Sequence, residues 1–226
     1  DIFICGPRNH PGRLFLQQRD GNYREDVQKI FATDMVYEDC GAIFFDADND
    51  GDLDLYVVSG GFQVDDSTQL DDRLYLNDRG KFSRPKGLLP AKAVAGSVIV
   101  PMDFDRDGDL DLFAPGRVVP GEYPVNPLSR LLVNDGKGKF EDLTARIAPV
   151  FNTLGMVTDA RWIDFDGDKK EELVVVGEWS TLRVFRFVNM ECIEVTQQFF
   201  KATYHGWWNT MKFSDLDRDG DLDLVV

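Results

Sequence analysis

The segment DFDRDGDLDL, residues 103–112, places five aspartates in nine residues and then continues into apolar sequence. Carboxylates at this spacing repel one another unless a positive charge neutralises them. The pattern occurs four times, in windows whose starts are 57, 61 and 51 residues apart. Periods of this size are typical of repeat architectures. The windows are DADNDGDLD (46–54), DFDRDGDLD (103–111), DFDGDKKEE (164–172) and DLDRDGDLD (215–223).

The acidic charge of the chain is concentrated in these four windows. They hold 20 of the 40 Asp and Glu residues but four of the 25 Lys and Arg residues, and the whole 226-residue chain has a net charge of −15. The remaining sequence is therefore close to neutral and carries no basic stripe, which argues against nucleic-acid binding. No apolar run in the sequence approaches the roughly 20 residues that a membrane span needs.

A second landmark recurs in phase with the acidic windows. Its copies begin 60, 57 and 53 residues apart, and each of the first three has an apolar run, a turn containing glycine and an aromatic residue. This pattern predicts a β-hairpin in every repeat. The copies are RLFLQQRDGNY from Arg13, RLYLNDRGKF from Arg73, RLLVNDGKGKF from Arg130 and a looser RVFRFVNMECI from Arg183.

The sequence around each acidic window predicts inner β-strands. Runs such as SVIVPM precede the windows and runs such as LYVV and LVVV follow them, apolar at successive positions. Such strands are covered on both faces of their sheet. A short helix is predicted near residues 25–35. Four strands in about 55 residues, with a loop suited to a metal ion between the first two, describe one blade of a β-propeller.

The predicted fold is therefore an all-β propeller segment of about four blades. Asp1 aligns with Asp54 and Asp111, so we expect the chain to begin at the last position of an acidic window. The expected divisions are a half blade at 1–36, blades at 37–95, 96–154 and 155–205, and a half blade at 206–226.

The acidic windows have the spacing of calcium-binding loops. Carboxylates at positions 1, 3, 5 and 9, with the carbonyl of position 7, would surround a hard cation with oxygen atoms, and calcium tolerates irregular geometry better than magnesium does. We expect three to four Ca²⁺ ions. The predicted ligands are Asp46, Asp48, Asp50, Asp52 and Asp54; Asp103, Asp105, Asp107, Asp109 and Asp111; Asp164, Asp166, Asp168, Lys170 and Glu172; and Asp215, Asp217, Asp219, Asp221 and Asp223.

Position 6 of the windows distinguishes the third from the others. It is a glycine in three of them, where a sharp turn predicts a positive φ that other residues adopt at a cost of about 1 kcal/mol or more. In the third window Lys169 stands at position 6, Gly167 lies two places earlier and Glu172 replaces the final aspartate. The third window therefore departs from the calcium-loop pattern at two positions, and three to four ions are expected in total.

Two other interpretations of the windows are weaker. An EF-hand needs a glutamate at position 12 and helices on both sides, but here the flanks are predicted strands and position 12 is apolar. Solvated acidic loops without metal would only destabilise the fold through repulsion repeated in register. The residues at position 12 are Val57, Ala114, Val175 and Val226.

These repeats resemble the FG-GAP/VCBS family, whose D-x-D-x-D-G-x-x-D loops bind calcium in integrin α-subunit propellers and in many secreted bacterial proteins. Three further stretches are similar to the cartilage acidic protein and ASPIC/UnbV-like group. The resemblance implies a propeller that is usually seven-bladed, with a closed ring of four blades as the alternative. The FG and GAP motifs that name the family are not clearly present, so no integrin-like ligand face is carried over. The stretches are GMVTDARWIDFDGD (155–168), VVVGEW (174–179) and GWWNTMKFSDLDRDGDLDLV (206–225).

The predicted function is a non-catalytic calcium-binding propeller for adhesion or for binding a protein or glycan. Modules of this type hold calcium with dissociation constants of about 10⁻⁴ to 10⁻³ M. Their loops fill outside the cell and are empty in cytosol, so an extracellular, surface or periplasmic location is expected. The two long segments 59–72 and 116–129 occupy matching places in the repeats and are predicted to form the binding surface.

The alternative function is carbohydrate binding, or carbohydrate-active chemistry of the polysaccharide-lyase kind. Tryptophans could stack on sugars, although tryptophans at fixed places in a blade more often pack between blades. Adjacent Trp207 and Trp208 should point to opposite faces of a strand, so at most one is exposed. Catalysis has little support, because His10 and His205 are the only histidines and no G-x-S-x-G motif occurs. The four tryptophans are Trp162, Trp179, Trp207 and Trp208.

Overall fold

The computed structural model describes residues 1–61, 67–92 and 94–226. Strands hold 41% of the residues and helices 10%, so the predicted all-β class is confirmed. In chain order the strands are β1 (Ile2–Ile4), β2 (Arg13–Gln17), β3 (Tyr23–Asp26), β4 (Asp39–Phe45), β5 (Asp54–Ser59), β6 (Arg73–Asp78), β7 (Lys81–Ser83), β8 (Ala95–Gly96), β9 (Val100–Met102), β10 (Asp111–Ala114), β11 (Gly116–Val118), β12 (Arg130–Asn134), β13 (Phe140–Asp142), β14 (Met156–Ile163), β15 (Glu172–Glu178), β16 (Ser180–Thr181), β17 (Arg183–Val188), β18 (Glu191–Glu194), β19 (His205–Gly206), β20 (Lys212–Ser214) and β21 (Asp223–Val225).

The helices are short and lie at the ends of hairpins. Helix α1 spans Lys29–Thr33, α2 spans Thr144–Ile147 and α3 spans Thr196–Phe199, with 3₁₀ turns at Ser67–Leu70 and Pro149–Thr153. The helix predicted near 25–35 is thus present but shorter, because the start of that segment pairs with β2 as strand β3. No helix in the described part of the chain is long and apolar enough to cross a membrane.

Three antiparallel sheets have four strands each, in the orders β4-β5-β6-β7, β9-β10-β12-β13 and β14-β15-β17-β18. A three-stranded sheet, β1-β2-β3, precedes them and the pair β20-β21 follows them. In the short pairs β8-β11 and β16-β19, one strand (β8, β19) lies between sheets in sequence and the other (β11, β16) follows the second strand of a large sheet. Within each large sheet the chain meanders from one strand to its neighbour, and the acidic window connects the first two strands.

The four predicted hairpins are all present, as β2/β3, β6/β7, β12/β13 and β17/β18. The tight turns of the first two have Gly21 and Gly80 at φ +84° and +86°. The fourth lacks a glycine, and Asn189 and Met190 adopt φ values of +52° and +62° instead. A left-handed methionine is strained, which explains why this copy of the pattern is the least regular in sequence.

The second strand of each large sheet is buried on both faces, as predicted for an inner strand. In β5, Leu55 and Val57 pack in a cluster with the three-stranded sheet β1-β2-β3. Tyr56 and Val58, on the other face, pack in a cluster with the following sheet. All four side chains are at most 1% exposed. The period of two along the strand therefore joins three successive sheets.

The same alternation continues along the chain. Leu112 of β10 packs toward the preceding sheet and Phe113 toward the following one. Phe151, from the second 3₁₀ turn, fills the space beside Phe113 with their ring centroids 4.8 Å apart. It also contacts Phe185 of β17 at 5.7 Å, so one aromatic side chain holds the second and third large sheets together.

Replacing Phe151 with alanine should lower the free energy of unfolding by about 3 to 5 kcal/mol, because a fully buried ring is removed from the contact between two sheets. Urea denaturation followed by circular dichroism measures this loss. The matched control is Val27→Ala, whose side chain is 80% exposed and whose effect should stay within about 0.5 kcal/mol. A loss below 1 kcal/mol for Phe151→Ala would contradict the packing described here.

Candidate functional site

The acidic windows form four loops with one backbone design, named loop 1 (46–54), loop 2 (103–111), loop 3 (164–172) and loop 4 (215–223). In each loop the N–H of position 6 donates to the carboxylate of position 1. The distances are 3.0 Å for Gly51 to Asp46, 3.3 Å for Gly108 to Asp103, 3.0 Å for Lys169 to Asp164 and 3.1 Å for Gly220 to Asp215.

Two positions of every loop have left-handed backbone. Position 6 has a φ of +92° at Gly51, whereas Lys169 reaches +67° in loop 3 and carries the strain that the sequence predicts. Position 4 is also left-handed, with +60° at Asn49 and +63° at Arg106, which the sequence analysis missed. Gly167 occupies this position in loop 3 at +74°. Gly167 of loop 3 therefore occupies the second left-handed position of the loop, where a glycine avoids backbone strain.

Carboxylate oxygens converge in each loop. Three acidic residues per loop offer oxygens that all lie within 4.8 Å of one another. Two oxygens bound to the same calcium ion at about 2.3 to 2.6 Å are separated by up to about 5 Å, so the arrangement has the dimensions of a cation site. The groups are Asp46, Asp48 and Asp50; Asp103, Asp105 and Asp107; Asp164, Asp166 and Glu172; and Asp215, Asp217 and Asp223.

Several carboxylate oxygens of the loops are buried without a hydrogen-bond partner. An ionised oxygen withdrawn from water without a partner is costly, and a cation between the carboxylates would supply what is lacking. The residues of loops 1, 2 and 3 therefore fit a hard metal ion, and loop 4 shares their convergence of three carboxylates. The oxygens concerned are Asp46 Oδ1, Asp48 Oδ1, Asp103 Oδ1, Asp111 Oδ2 and Asp164 Oδ1.

The carboxylates at position 9 anchor the loop to the rest of the sheet. Asp54 accepts the N–H of Ala47 through Oδ2 and the N–H of Asn77 through Oδ1, both at 2.8 Å. Asp111 accepts the N–H of Asn134 at 2.8 Å through Oδ1, which leaves its Oδ2 free for a cation. The predicted ligand Asp54 thus has both oxygens engaged with backbone and lies outside the converging group of loop 1.

The side chains at position 7, for which only the backbone carbonyl was predicted to matter, also have partners. Asp52 accepts the N–H of Arg79 at 2.7 Å. Asp109 of loop 2 accepts a hydrogen bond from the side chain of Asn49 in loop 1. These contacts tie each loop to a hairpin or to the neighbouring loop, a role that the spacing of aspartates does not reveal.

A cation from strand β17 lies over loop 3. The guanidinium of Arg186 lies 2.5 Å from Glu172, 2.6 Å from Asp166 and 3.5 Å from Asp168. In the hairpin pattern this position is Leu76 in the second copy. Sequence reasoning missed Arg186, and the available signal was a charged residue at a hairpin position that is apolar elsewhere.

Burial changes the acidity of the position 9 carboxyls of loops 1 and 2. Desolvation raises the pKa of Asp54 to about 6 and that of Asp111 to about 7. Desolvation, together with the neighbouring carboxylates, also raises the pKa of Asp48 and Asp105. Without a cation, the loops therefore hold protons close to neutral pH.

The C-terminal part of the chain matches a known repeat family. An FG-GAP-like repeat matches residues 164–226. The match covers loop 3, loop 4 and the strands from β15 onward, which amounts to about a quarter of the chain. No curated protein matches the chain significantly. The repeat resemblance is thus supported in the C-terminal part, and the narrower likeness to the ASPIC/UnbV group stays a prediction.

The residues predicted for partner binding are only partly described. Residues 62–66 of the segment 59–72 lie outside the described residues, whereas 116–129 is described throughout and begins with β11.

Trp179 and Trp207 are 64% and 52% exposed. Trp162 and Trp208 are half-buried and pack against hydrophobic clusters. At most one of the adjacent tryptophans was expected to be exposed, and Trp207 is that one. His10 and His205 are both exposed.

The metal-free protein should become less stable as pH rises from about 5 to 8. The folded pKa values of Asp54 and Asp111, about 6 and about 7, lie above the unfolded value of about 3.9. The protonated carboxyls therefore favour the folded state, and this contribution is lost as pH rises through the folded values. Melting curves of protein dialysed free of divalent cations measure the trend. The double variant Asp54→Asn/Asp111→Asn should flatten it, and a melting temperature that rises with pH in this window would refute it.

Replacing Arg186 with leucine, the residue found at the matching hairpin position, should destabilise the metal-free protein. The change leaves Asp166 and the buried Glu172 without their cation, so the loss should exceed the roughly 1 kcal/mol of a surface ion pair. Adding millimolar Ca²⁺ should recover most of that loss. Arg13→Leu is the control, because Arg13 contacts a single acidic partner, Glu25, at 3.8 Å. Equal effects of the two variants in metal-free buffer would refute the special role of Arg186.

Proposed function

We propose that this chain is a calcium-stabilised β-propeller segment that binds a protein or glycan partner outside the cytosol and does not catalyse a reaction. The observation that carries the proposal is the set of buried, unpartnered carboxylate oxygens that converge in loops between the first two strands of successive sheets. A cation there would bind the folded state and not the unfolded chain, so it would stabilise the fold by mass action.

The propeller arrangement is supported by the sheet order and the packing. Four-stranded meanders follow one another, and each inner strand packs against the preceding and the following sheet. This is how blades stack around an axis. The FG-GAP-like match is consistent with it. The blade boundaries stay predictions. The choice between seven blades and a closed ring of four blades also stays a prediction.

Calcium is the cation that suits these loops best. The donor set is built of carboxylates and backbone carbonyls held at irregular angles, and calcium accepts six to eight such oxygens, whereas magnesium requires near-octahedral geometry. Calcium sites of this extracellular class have dissociation constants of about 10⁻⁴ to 10⁻³ M. They would fill in the extracellular space or periplasm, which is the basis for the proposed location.

The number of ions follows from the charge already present in each loop. Loops 1, 2 and 4 have no internal cation placed as Arg186 is in loop 3 among the described residues. Because Arg186 neutralises part of loop 3, we propose three ions of ordinary affinity, with loop 3 filled only at higher concentration. The four-ion alternative remains the upper limit of the prediction.

A second function, carbohydrate binding, is favoured by the exposed rings of Trp179 and Trp207. Such rings are expensive to leave in water and are characteristic of binding surfaces. Lyase-like activity on polysaccharides is the catalytic version of this alternative. The loop carboxylates would serve it poorly as general acids, because a bound metal keeps them ionised. Turnover of pectin- or xylan-type polymers would separate a catalytic from a binding role.

Removing calcium should lower the melting temperature strongly, and returning it should restore the original value. At ten to a hundred times the dissociation constant each bound ion contributes about 1.4 to 2.7 kcal/mol, and magnesium at the same concentration should contribute less. Differential scanning calorimetry measures the shift, and equilibrium dialysis should count three ions. Asp107→Asn should lose one of them, whereas the matched loop 3 variant Asp168→Asn should lose none. A melting curve that does not respond to calcium removal would end the proposal.

A further inference from the structure

A groove of about 530 Å³ lies between the segment 116–129 and the junction of β15 with β16. Tyr123 and Trp179 line it, together with Asn126, Thr153 and Thr181. Trp207 adjoins it, with its ring centroid 4.7 Å from that of Trp179 at an interplanar angle of 46°. The three aromatic side chains are 50%, 64% and 52% exposed, although they come from three separate segments of the chain.

The two tryptophans are held side by side by the backbone. Trp179 directly precedes β16 and Trp207 directly follows β19, and these strands pair with Ser180 opposite Gly206. A side chain at Gly206 would meet the ring of Trp208 at 2.5 Å. The glycine therefore allows Trp208, the residue after Trp207, to pack inward. Trp207 is consequently turned outward toward Trp179.

Trp179 adopts a strained conformation and is oriented by a hydrogen bond. Its φ is +52°, a left-handed value that a bulky residue adopts at a cost of about 1 to 3 kcal/mol. Its indole Nε1 donates to the hydroxyl of Tyr123 at 2.8 Å, so the polar edge of the ring is satisfied within the protein and the apolar face remains in water. Backbone strain of this kind clusters at binding and active sites.

The charges at the groove are balanced by partners within the protein. Glu178, 7% exposed, pairs with the guanidinium of Arg117. The pKa of Glu178 is lowered, chiefly by that hydrogen bond. Arg183, which also lines the groove, lies 2.6 Å from Glu194. Neither the carboxylate nor the guanidinium needs a charged ligand to complete it.

This combination of features selects among ligand classes. A quaternary ammonium ion is held between the faces of aromatic rings, and the rings of Trp179 and Trp207, with centroids 4.7 Å apart, leave no space for one between them. An anion would require an unpaired arginine. A pyranose presents apolar C–H groups on its faces, which pack on aromatic rings, and hydroxyls around its edge, which hydrogen-bond to amide and hydroxyl side chains. The groove offers both kinds of partner: the rings, and Asn126, Thr153 and Thr181.

We propose that the groove formed by Tyr123, Trp179 and Trp207 binds a neutral oligosaccharide. The inference rests on the proposed binding function and specifies its partner as a glycan. Loop 3 precedes β15 and Trp179 follows it, so the seven residues of that strand separate the groove from the acidic loop by about 20 Å. Sugar binding therefore does not require the carboxylates of the loop.

The test measures binding of neutral hexasaccharides by isothermal titration calorimetry. The probes are the β-1,4-linked hexamers of glucose, xylose, mannose and N-acetylglucosamine, with hexagalacturonate as the anionic comparison. At least one neutral hexamer should bind, and Trp179→Asn should weaken it tenfold or more. Asparagine accepts a left-handed φ, so this variant should keep or raise the melting temperature. Tyr23→Ala, which removes an aromatic residue that is 47% exposed in β3, should leave binding unchanged.

The outcomes separate this proposal from the calcium proposal. Asp107→Asn should lose an ion and melt at a lower temperature while keeping sugar binding in the folded protein, and Trp179→Asn should keep the calcium response. No binding of any neutral hexamer, or binding of hexagalacturonate alone, would overturn the glycan assignment and leave the calcium proposal intact. A fall in melting temperature for Trp179→Asn with undiminished sugar binding would also overturn it, because the ring would then be structural.

Discussion

The repulsion between carboxylates held within a few ångströms of one another is the constraint on which the rest of the chain depends. Each loop brings three acidic groups within 4.8 Å, and their oxygens are partly removed from water, where the energy of like charges rises. Backbone N–H groups satisfy some of the lone pairs, but oxygens such as Asp46 Oδ1 and Asp103 Oδ1 have no partner. The first two strands of a sheet meet at this loop, so the balance of charge there decides how firmly the inner strand is anchored.

Much of the fold could be predicted because its elements carry local signals. The hairpins repeat a turn pattern, and the inner strands show apolar residues at successive positions, as in Leu55 and Tyr56. The loops were recognisable because acidic residues recur at positions 1, 3, 5 and 9 in each of the four windows. By contrast, the contact of Arg186 with Glu172 depends on which hairpin residue lies over the loop. The position of the hairpin relative to the loop is set by the tertiary structure and cannot be predicted from the sequence of either segment alone.

The exposed aromatic residues could not be predicted from the sequence to the same extent. Tryptophans were expected mainly to pack between sheets, and Trp162 and Trp208 do so. Trp179 differs because its left-handed backbone turns the chain just after β15, and no pattern of residue types announces that turn. The loops, which dominate the sequence, would then serve stability, whereas the less conspicuous segments at the far end of β15 would meet the partner.

Hydrogen bonds between neighbouring repeats determine the smallest part of this chain that can stand alone. The side-chain amide of Asn134, in the second large sheet, donates to the carbonyl of Ala47 in loop 1 at 2.8 Å, and this contact is buried. Asn49 and Asp109 link the same two repeats. A single repeat cut from the chain would lose partners for buried polar groups as well as one covered face of its inner strand. As in other linear arrays, order passes from neighbour to neighbour, so a single repeat is too small to fold as an autonomous unit.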